Sequence, residues 1–249
     1  MSEEKILKKI YQPGGWLEKY RKLFVGSKSF LFLLKYELIM LLINALPGVL
    51  GLFLRKLFYP FIFRRVGKGV IFGRNMTIRH PQNIEIGDHC VFDDGCVLDA
   101  KGDPDLRIKM GDDVFISRNA IVSTKNGHIE MGSDISVGPH TFIQSIEKGS
   151  VKVGDHCVIA ANCYIIGAGN YRTDRIDIPM AHQGLEEGRG VILHEDVWLG
   201  ASVIVLDGAE IEKGTIVGAH SLAKGHISAY SVAVGIPARA VRSRREAKE

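Results

Sequence analysis

Nine histidines and four cysteines are the side chains of this 249-residue chain with the most versatile chemistry near neutral pH. The cysteines are Cys90, Cys96, Cys157 and Cys163, spaced six, sixty-one and six. A structural metal site asks for close pairs such as C-x-x-C, so these four read as packing residues. No disulfide framework follows, and a reducing cytoplasm is the default compartment. Among the histidines, His182 lies within Tyr171–Ile192, a stretch that interrupts an otherwise regular repeat. His140 is the fourth residue of a repeat unit, an outward corner, on the same edge as Asn119, Asn162, Ser202 and His220. An exposed imidazole can take a proton from a substrate hydroxyl near neutral pH. Polar side chains are also ordinary at solvent-facing corners, so the position alone does not make a base. His220 and His226 are six apart and fall on successive corners of one coil, not on one face. A zinc site needs three converging ligands, and no metal is expected.

The elements that must position these residues show in the repeat itself. Residues 153–170 read VGDHCV-IAANCY-IIGAGN, and after the break residues 193–228 read LHEDVW-LGASVI-VLDGAE-IEKGTI-VGAHSL-AKGHIS. Each unit opens with an aliphatic residue, tends to a small or acidic second residue, and carries a small or β-branched fifth. All four cysteines occupy that fifth place. A period of six matches neither the helix (3.6) nor the strand (2.0) repeat. It fits short strands joined by regular corners, three to a coil. Coils then begin at 66, 86, 110, 131, 153, 193 and 211. The fold class is all-β, a parallel β-helix of about seven coils. At ~4.8 Å per coil it is about 30 Å long.

Three regions follow: residues 1–65, a basic and apolar helical segment; 66–234, the β-helix with its inserted loop 171–192; and 235–249, a basic C-terminal tail. Residues 1–65 hold 12 Lys/Arg against 4 Asp/Glu, while the whole chain is only +4. A basic segment suits an anionic membrane surface. No nucleic-acid partner is expected, because no recognition motif accompanies the charge. Within 29–63, FLFLLKYELIMLLINAL runs to Pro47-Gly48 and VLGLFLRKLFYPFIF follows. Each run is interrupted by charge or proline short of the ~20 apolar residues a span requires. Two helices, apolar nearly all round and flanked by Arg64-Arg65, are expected to associate peripherally with a membrane. Packing against the first coil or against partner subunits is the other outcome. No signal peptide is read at the start, so the expected place is the cytoplasm at the inner face of the cell membrane.

The hexads, with VWLG at 197–200 and VGIPARAV at 234–241, resemble the hexapeptide-repeat acyltransferases over about Val66–Arg242. Within them the maltose/galactoside/xenobiotic O-acetyltransferase group and its polysaccharide-modifying relatives are most similar. The resemblance implies a left-handed β-helix, a homotrimer, and acetyl-CoA or another acyl-CoA as co-substrate in a cleft between subunits. It places Gly200, Ala201, Gly218 and Ala219 along the pantetheine arm. Pro237, Ala238, Arg239 and Arg242 would stand near the phosphates. The family's catalytic histidine lies in a stretch like N-H-R-x-D. Here that stretch is Asn170-Tyr171-Arg172-Thr173-Asp174, so Tyr171 stands where the histidine is expected. A phenol near pKa 10 is a poor base at neutral pH. His182, in a segment similar to the family's P-I-x-x-Q-G, Tyr171 itself, and His140 are the three candidate bases. Asn170, Arg172 and Asp174 are candidate substrate contacts. Trp198 is expected at a coil corner or under the loop, with no chemistry. The function implied is an acyl-CoA-dependent O-acyltransferase. Its acceptor would be a sugar hydroxyl of a glycolipid or surface-polysaccharide precursor. Two alternatives stand beside it. One is a trimeric β-helix scaffold that has lost its base, and the other a zinc enzyme resembling the γ-class carbonic anhydrases.

Overall fold

Two of the three corners of each coil are sharp and regular, and the backbone supplies each with one left-handed residue at the fourth position of the hexad. Along the first such corner these are His89, Asp113, Asp134, His156 and Asp196, with φ between 55° and 60°. Along the second they are Asn75, Asn119, His140, Asn162, Ser202 and His220, with φ between 55° and 59°. Asn, Asp and His tolerate this region better than other non-glycine residues. Much of the histidine content is therefore corner chemistry.

The computed structural model, which describes residues 15–103, 105 and 107–245, is a parallel β-solenoid of seven three-sided coils and part of an eighth. The first face runs from Arg65–Val66 through Ile84–Ile86 to His226–Ile227, eight strands in strict coil order. The second face runs from Ile71–Phe72 to Ser231–Gly235 and the third from Thr77–Arg79 to Leu222–Ala223. Registers are in phase, so Phe142 sits over Tyr164 and Ile143 over Ile165. Like residues consequently stack. Ile78, Leu98, Val122, Ile143, Ile165 and Val205 form one fully buried column. Near the first-coil end, Phe63, Phe72 and Phe92 stack at 5.6 and 5.5 Å.

All four cysteines are buried at the expected fifth positions. Their thiols lie 3.2 Å from carbonyls on the next coil, Cys90 to Gly111 and Cys163 to Gly200 among them. Burial pushes the Cys96 thiol up to about 12 and the Cys157 thiol up to about 11.

The outward faces differ. The first carries charge ladders such as Lys109–Glu130 at 3.1 Å and His194–Glu210 at 3.0 Å. The second exposes Ile71, Phe115, Val158 and Trp198, and the third carries the stacked Phe142–Tyr164 pair, 5.1 Å apart. Trp198 is thus in a strand on the second face, pairing with Val158 and Ile216, and not at a corner.

Three helices cover the first-coil end: α1 (Trp16–Tyr20, running into a π-turn at Arg21–Val25), α2 (Phe30–Ile43) and α3 (Gly48–Phe58). Ser29 caps α2 by accepting from the Phe32 N–H. Tyr36 donates to the Ile78 carbonyl at 2.6 Å, and Asn44 donates to the Met76 carbonyl at 3.0 Å. The Arg55 guanidinium, only 2% exposed, donates to Phe72 and Leu46 carbonyls at 2.8 Å each and to Ile43 at 3.3 Å. Its three bonds tie the end of α2 to the second face.

Two boundaries differ from the sequence reading. The inserted loop spans 168–190, between strands Tyr164–Gly167 and Val191–Leu193, so Ile192 is a strand residue. The aliphatic Val191, Ile192 and Leu193 meet the strand pattern, whereas the glycine-flanked start of the loop does not advertise itself. The segment read as a basic tail contains the strand Ala238–Ser243, which folds back antiparallel on Ser231–Gly235. The turn between them holds Gly235 at φ 103° and a cis Ile236–Pro237 bond.

Candidate active site

The loop at 168–190 is the long polar excursion of the solenoid, and its two ends are fixed by one side chain. Asp207, on the next coil, accepts from the Ala168 N–H at 2.9 Å and the Gly190 N–H at 2.7 Å through the same oxygen. Its second oxygen accepts from the Arg189 N–H at 3.2 Å. Above this root the chain forms a short antiparallel stem. Tyr171 bridges Leu185, the Arg172 N–H donates to the Gly184 carbonyl at 3.0 Å, and the Glu186 N–H donates to the Asn170 carbonyl at 2.8 Å.

The tip is a single helical turn, α4 (Met180–Gln183). Gln183 organises it by donating to the Arg175 and Ile178 carbonyls at 2.6 and 3.1 Å and accepting from the Arg175 N–H. Arg175 pairs with Asp177, Nε to Oδ1 at 2.9 Å, which draws the Asp177 carboxyl below its ordinary range. His182 is exposed on α4, and Tyr171 is 40% exposed on the stem. Ile176 at the tip is fully exposed.

The structure therefore gathers Asn170, Tyr171, Arg172, Asp174 and His182 into one loop. His140 is elsewhere. It stands on the corner between the second and third faces, whereas the loop leaves the corner between the third and first. Within one chain a strand such as Tyr164–Gly167, about 13 Å of extended backbone, separates those corners. Among the described residues the side chains of His140 and His182 have no hydrogen-bond or ion-pair partner, so each is available to a ligand.

The corner bearing His140 changes character along the solenoid. In the first three coils its second and third hexad positions include Arg74, Asp93, Asp94 and Arg118, paired as Arg74–Asp94 and Arg118–Asp93. From the fourth coil they become Gly138, Ala160–Ala161, Gly200–Ala201 and Gly218–Ala219. A Cβ at Gly200 would lie 2.7 Å from the Ala219 nitrogen, and one at Gly218 would lie 2.7 Å from a Val234 methyl. Coil stacking by itself thus demands these two glycines. The same small residues leave a smooth edge along which an extended thioester arm can lie close to backbone.

That edge ends at the C-terminal hairpin. Gly235 donates to Ser221 at 3.0 Å, Ala238 is buried, and Arg239 and Arg242 are exposed. Arg244 and Arg245 are otherwise engaged. Arg244 donates to the Gly214 carbonyl and pairs with Asp196 at 3.3 Å, while Arg245 lies over the Tyr230 ring at 4.3 Å. Of the four basic residues, Arg242 and Arg239, whose Nη1 donates to the adjacent Ala238 carbonyl at 3.2 Å, keep exposed donors for an anionic ligand. Among the described residues no three His, Cys, Asp or Glu side chains gather as a metal site would require.

Asp207 and Gln183 are the positioning residues that the sequence did not disclose. Asp207 reads as one more polar residue beside a turn glycine, Gly208 at φ 79°. Nothing in the hexad pattern tells that its carboxylate turns back toward the loop.

Comparison with known proteins finds likenesses to acyltransferases. Residues 134–167 match the family described as the hexapeptide repeat of succinyl-transferase. The chain is 31% identical over 143 residues to “Probable acetyltransferase Rv3034c” of Mycobacterium tuberculosis, covering 57% of this chain and 46% of that protein. It is 27% identical over 187 residues to the dTDP-4-amino-4,6-dideoxy-D-glucose acyltransferase of Escherichia coli, covering 73% of this chain and 83% of the relative. It is 28% identical over 129 residues to the galactoside O-acetyltransferase of Lactococcus lactis, 52% of this chain and 59% of that one. The chain thus spans about half the length of some relatives it matches. Among solved structures, AntD, an N-acyltransferase from Bacillus cereus in complex with dTDP and 3-hydroxybutyryl-CoA, superposes with a TM-score of 0.52. That match, at 24% identity, covers 74% of this chain and 84% of AntD, and it shows the fold.

Proposed function

We propose that this chain is a hexapeptide-repeat acyltransferase, an acyl-CoA-dependent O-acyltransferase that acylates a sugar hydroxyl. The observation that carries this reading is the match to a sugar-nucleotide acyltransferase over 83% of that relative's length. The geometry supports it with a smooth small-residue edge leading to Arg239 and Arg242 and with a polar loop carrying an exposed imidazole. In this reading the thioester arm lies along Gly200–Ala201 and Gly218–Ala219, near Pro237 and Ala238. Arg239 and Arg242 meet the phosphates.

His182 removes the proton from the acceptor hydroxyl as its oxygen bonds to the thioester carbonyl carbon. The C–S bond then breaks, and the departing thiolate takes the proton back from the imidazolium. Asn170, Arg172 and Asp174 orient the acceptor, and Tyr171 flanks it from the stem. Because the loop and the small-residue edge occupy different corners of one chain, the complete site takes the loop from one subunit and the edge from its neighbour. A homotrimer, with the apolar second and third faces turned inward, satisfies that requirement. The acceptor is a glycolipid or surface-polysaccharide precursor met at the inner face of the cell membrane, with residues 29–63 as the membrane-associated part.

Thiol release from acetyl-CoA in the presence of a membrane lipid and polysaccharide extract tests the reading. Acceptor-dependent release is expected. No release, together with no coenzyme A binding by calorimetry, would sink it in favour of the scaffold alternative that Tyr171 keeps open. The likeness to the dTDP-4-amino-4,6-dideoxy-D-glucose acyltransferase supplies a second reading, transfer to an amino sugar, and alkaline lability of the product separates an ester from an amide.

A further inference from the structure

More than half of the exposed large hydrophobic side chains among the described residues lie between Trp16 and Phe61, at the first-coil end of the solenoid. In α2, Leu33, Tyr36, Ile39 and Ile43 face the solenoid and are buried. The opposite side of the same helix shows Leu31 at 77% and Leu41 at 79% exposure, with Leu34, Leu38 and Leu42 completing the stripe. In α3, Arg55 and Gly51 face inward, whereas Val49 is 83%, Leu50 66% and Phe53 60% exposed. Leu31, Leu34, Leu38 and Leu42 repeat at helical spacing, as do Leu50, Phe53 and Leu57. Each helix therefore has a second apolar face that nothing among the described residues covers.

Charge decides what covers it. Lys28 precedes α2, Lys35 lies within it, Lys56 lies within α3, and Arg64 and Arg65 follow; all five are exposed. Glu37 is held by the Tyr20 hydroxyl at 2.6 Å, and Glu18 is the one exposed carboxylate among described residues 15–65. Two copies of so basic a face would repel, whereas an anionic surface complements it. The depth is set by length. The 14 residues of α2 reach about 21 Å, short of the ~30 Å hydrocarbon core. No helix among the described residues is long and apolar enough to cross a membrane.

We propose that the outer faces of α2 and α3 form an in-plane docking surface for a bilayer containing anionic phospholipid. The leucine and phenylalanine side chains enter the acyl boundary, and Lys28, Lys56 and Arg65 reach the headgroups along their aliphatic stems, while the Lys35 ammonium is held on the Phe61 carbonyl at 2.6 Å. This deepens the membrane part of the proposed function and rests on it. It adds one consequence for the acceptor. The loop belongs to the fifth coil and the helices to the first, so about four coil spacings, ~19 Å, separate the loop from the helix layer. The reacting sugar then belongs to an acceptor that extends well beyond the headgroups, not to the sugar adjoining the lipid.

Co-sedimentation of the full chain with phosphatidylcholine vesicles, with and without phosphatidylglycerol, tests the proposal. Binding at least tenfold tighter to the anionic vesicles, and weakened by high salt, is the expected result. Lys28→Gln and Lys56→Gln should each weaken it about fivefold, the equivalent of ~1 kcal/mol for the one charge removed. Leu41→Glu and Phe53→Glu, at exposed sites that leave the fold intact by circular dichroism, should abolish it. Equal or absent binding to both vesicle types overturns the proposal, as does a change of oligomeric state in Leu41→Glu, which would mark a subunit contact. Because vesicle binding is read without turnover, a failure here leaves the transferase reading standing. Binding without turnover counts against that reading alone.

Discussion

The carboxylate of Asp207 lies 2.7 Å from the backbone nitrogen of Gly190, and the same oxygen lies 2.9 Å from that of Ala168. One side chain on the sixth coil thereby closes a loop whose ends are 22 positions apart in sequence. The solenoid gives the loop a rigid root, the Tyr171–Leu185 bridge a stem, and Gln183 a shaped tip.

Asp207→Ala should free the root while sparing the coils. Removing a charged acceptor from three N–H groups costs on the order of 1–3 kcal/mol locally. Turnover should fall at least tenfold, and limited proteolysis should cut within 168–190, with the melting transition of the solenoid shifted by only a few degrees. Unchanged proteolysis would contradict the clamp.

His182→Ala should lower kcat by roughly 10²–10⁴-fold, the range ordinarily supplied by a general base. Tyr171→Phe and His140→Ala should each retain most of the activity. If Tyr171→Phe is the damaging change instead, the base is at the position the family resemblance marks.

Arg239→Gln and Arg242→Gln should raise KM for acetyl-CoA with little change in kcat, since both are exposed beside the small-residue edge. Arg244→Gln should instead lower thermal stability, because Arg244 holds the Gly214 carbonyl and Asp196. Steady-state kinetics and a melting curve separate the two classes.

Stability should decline above pH 9 on account of the buried thiols. The folded chain holds Cys96 up to about 12 and Cys157 up to about 11, through burial, while the unfolded thiols ionise near their ordinary pKa of ~8.5. A raised folded pKa contributes stability that is intact below the unfolded value and is lost as pH climbs toward the folded one. By pH ~10.5 the loss is on the order of 2–3 kcal/mol for each of the two. Chemical denaturation at stepped pH should show it, and the Cys96→Ala, Cys157→Ala double variant should flatten the curve.

The solenoid was legible because each hexad position has one job. Aliphatic first residues and small fifth residues stack in register, and Asn, Asp or His takes the left-handed corner, so seven coil starts could be counted directly. The loop's position was legible for the same reason, as the place where counting fails. Its anchoring was not, because the link between Asp207 and Gly190 joins residues on different coils. The destinations of Arg239 and Arg244 were equally hidden. Four residues of chain separate one exposed on the hairpin strand from one bound to Asp196, and local composition is the same at both. For the helical segment, composition disclosed the apolar surplus but not which half of α2 the first coil would cover. Tyr36 and Ile39 face inward because the Tyr36 hydroxyl meets the Ile78 carbonyl.

The central claim is acyl transfer to oxygen, and the most direct measurement follows radiolabelled acetyl from acetyl-CoA into the acceptor fraction of a membrane extract. The account predicts incorporation that requires the protein, is lost in His182→Ala, and is released by mild alkali as an ester. Label that resists alkali would assign an amide product, and absence of incorporation despite coenzyme A binding would contradict the transferase reading of the site.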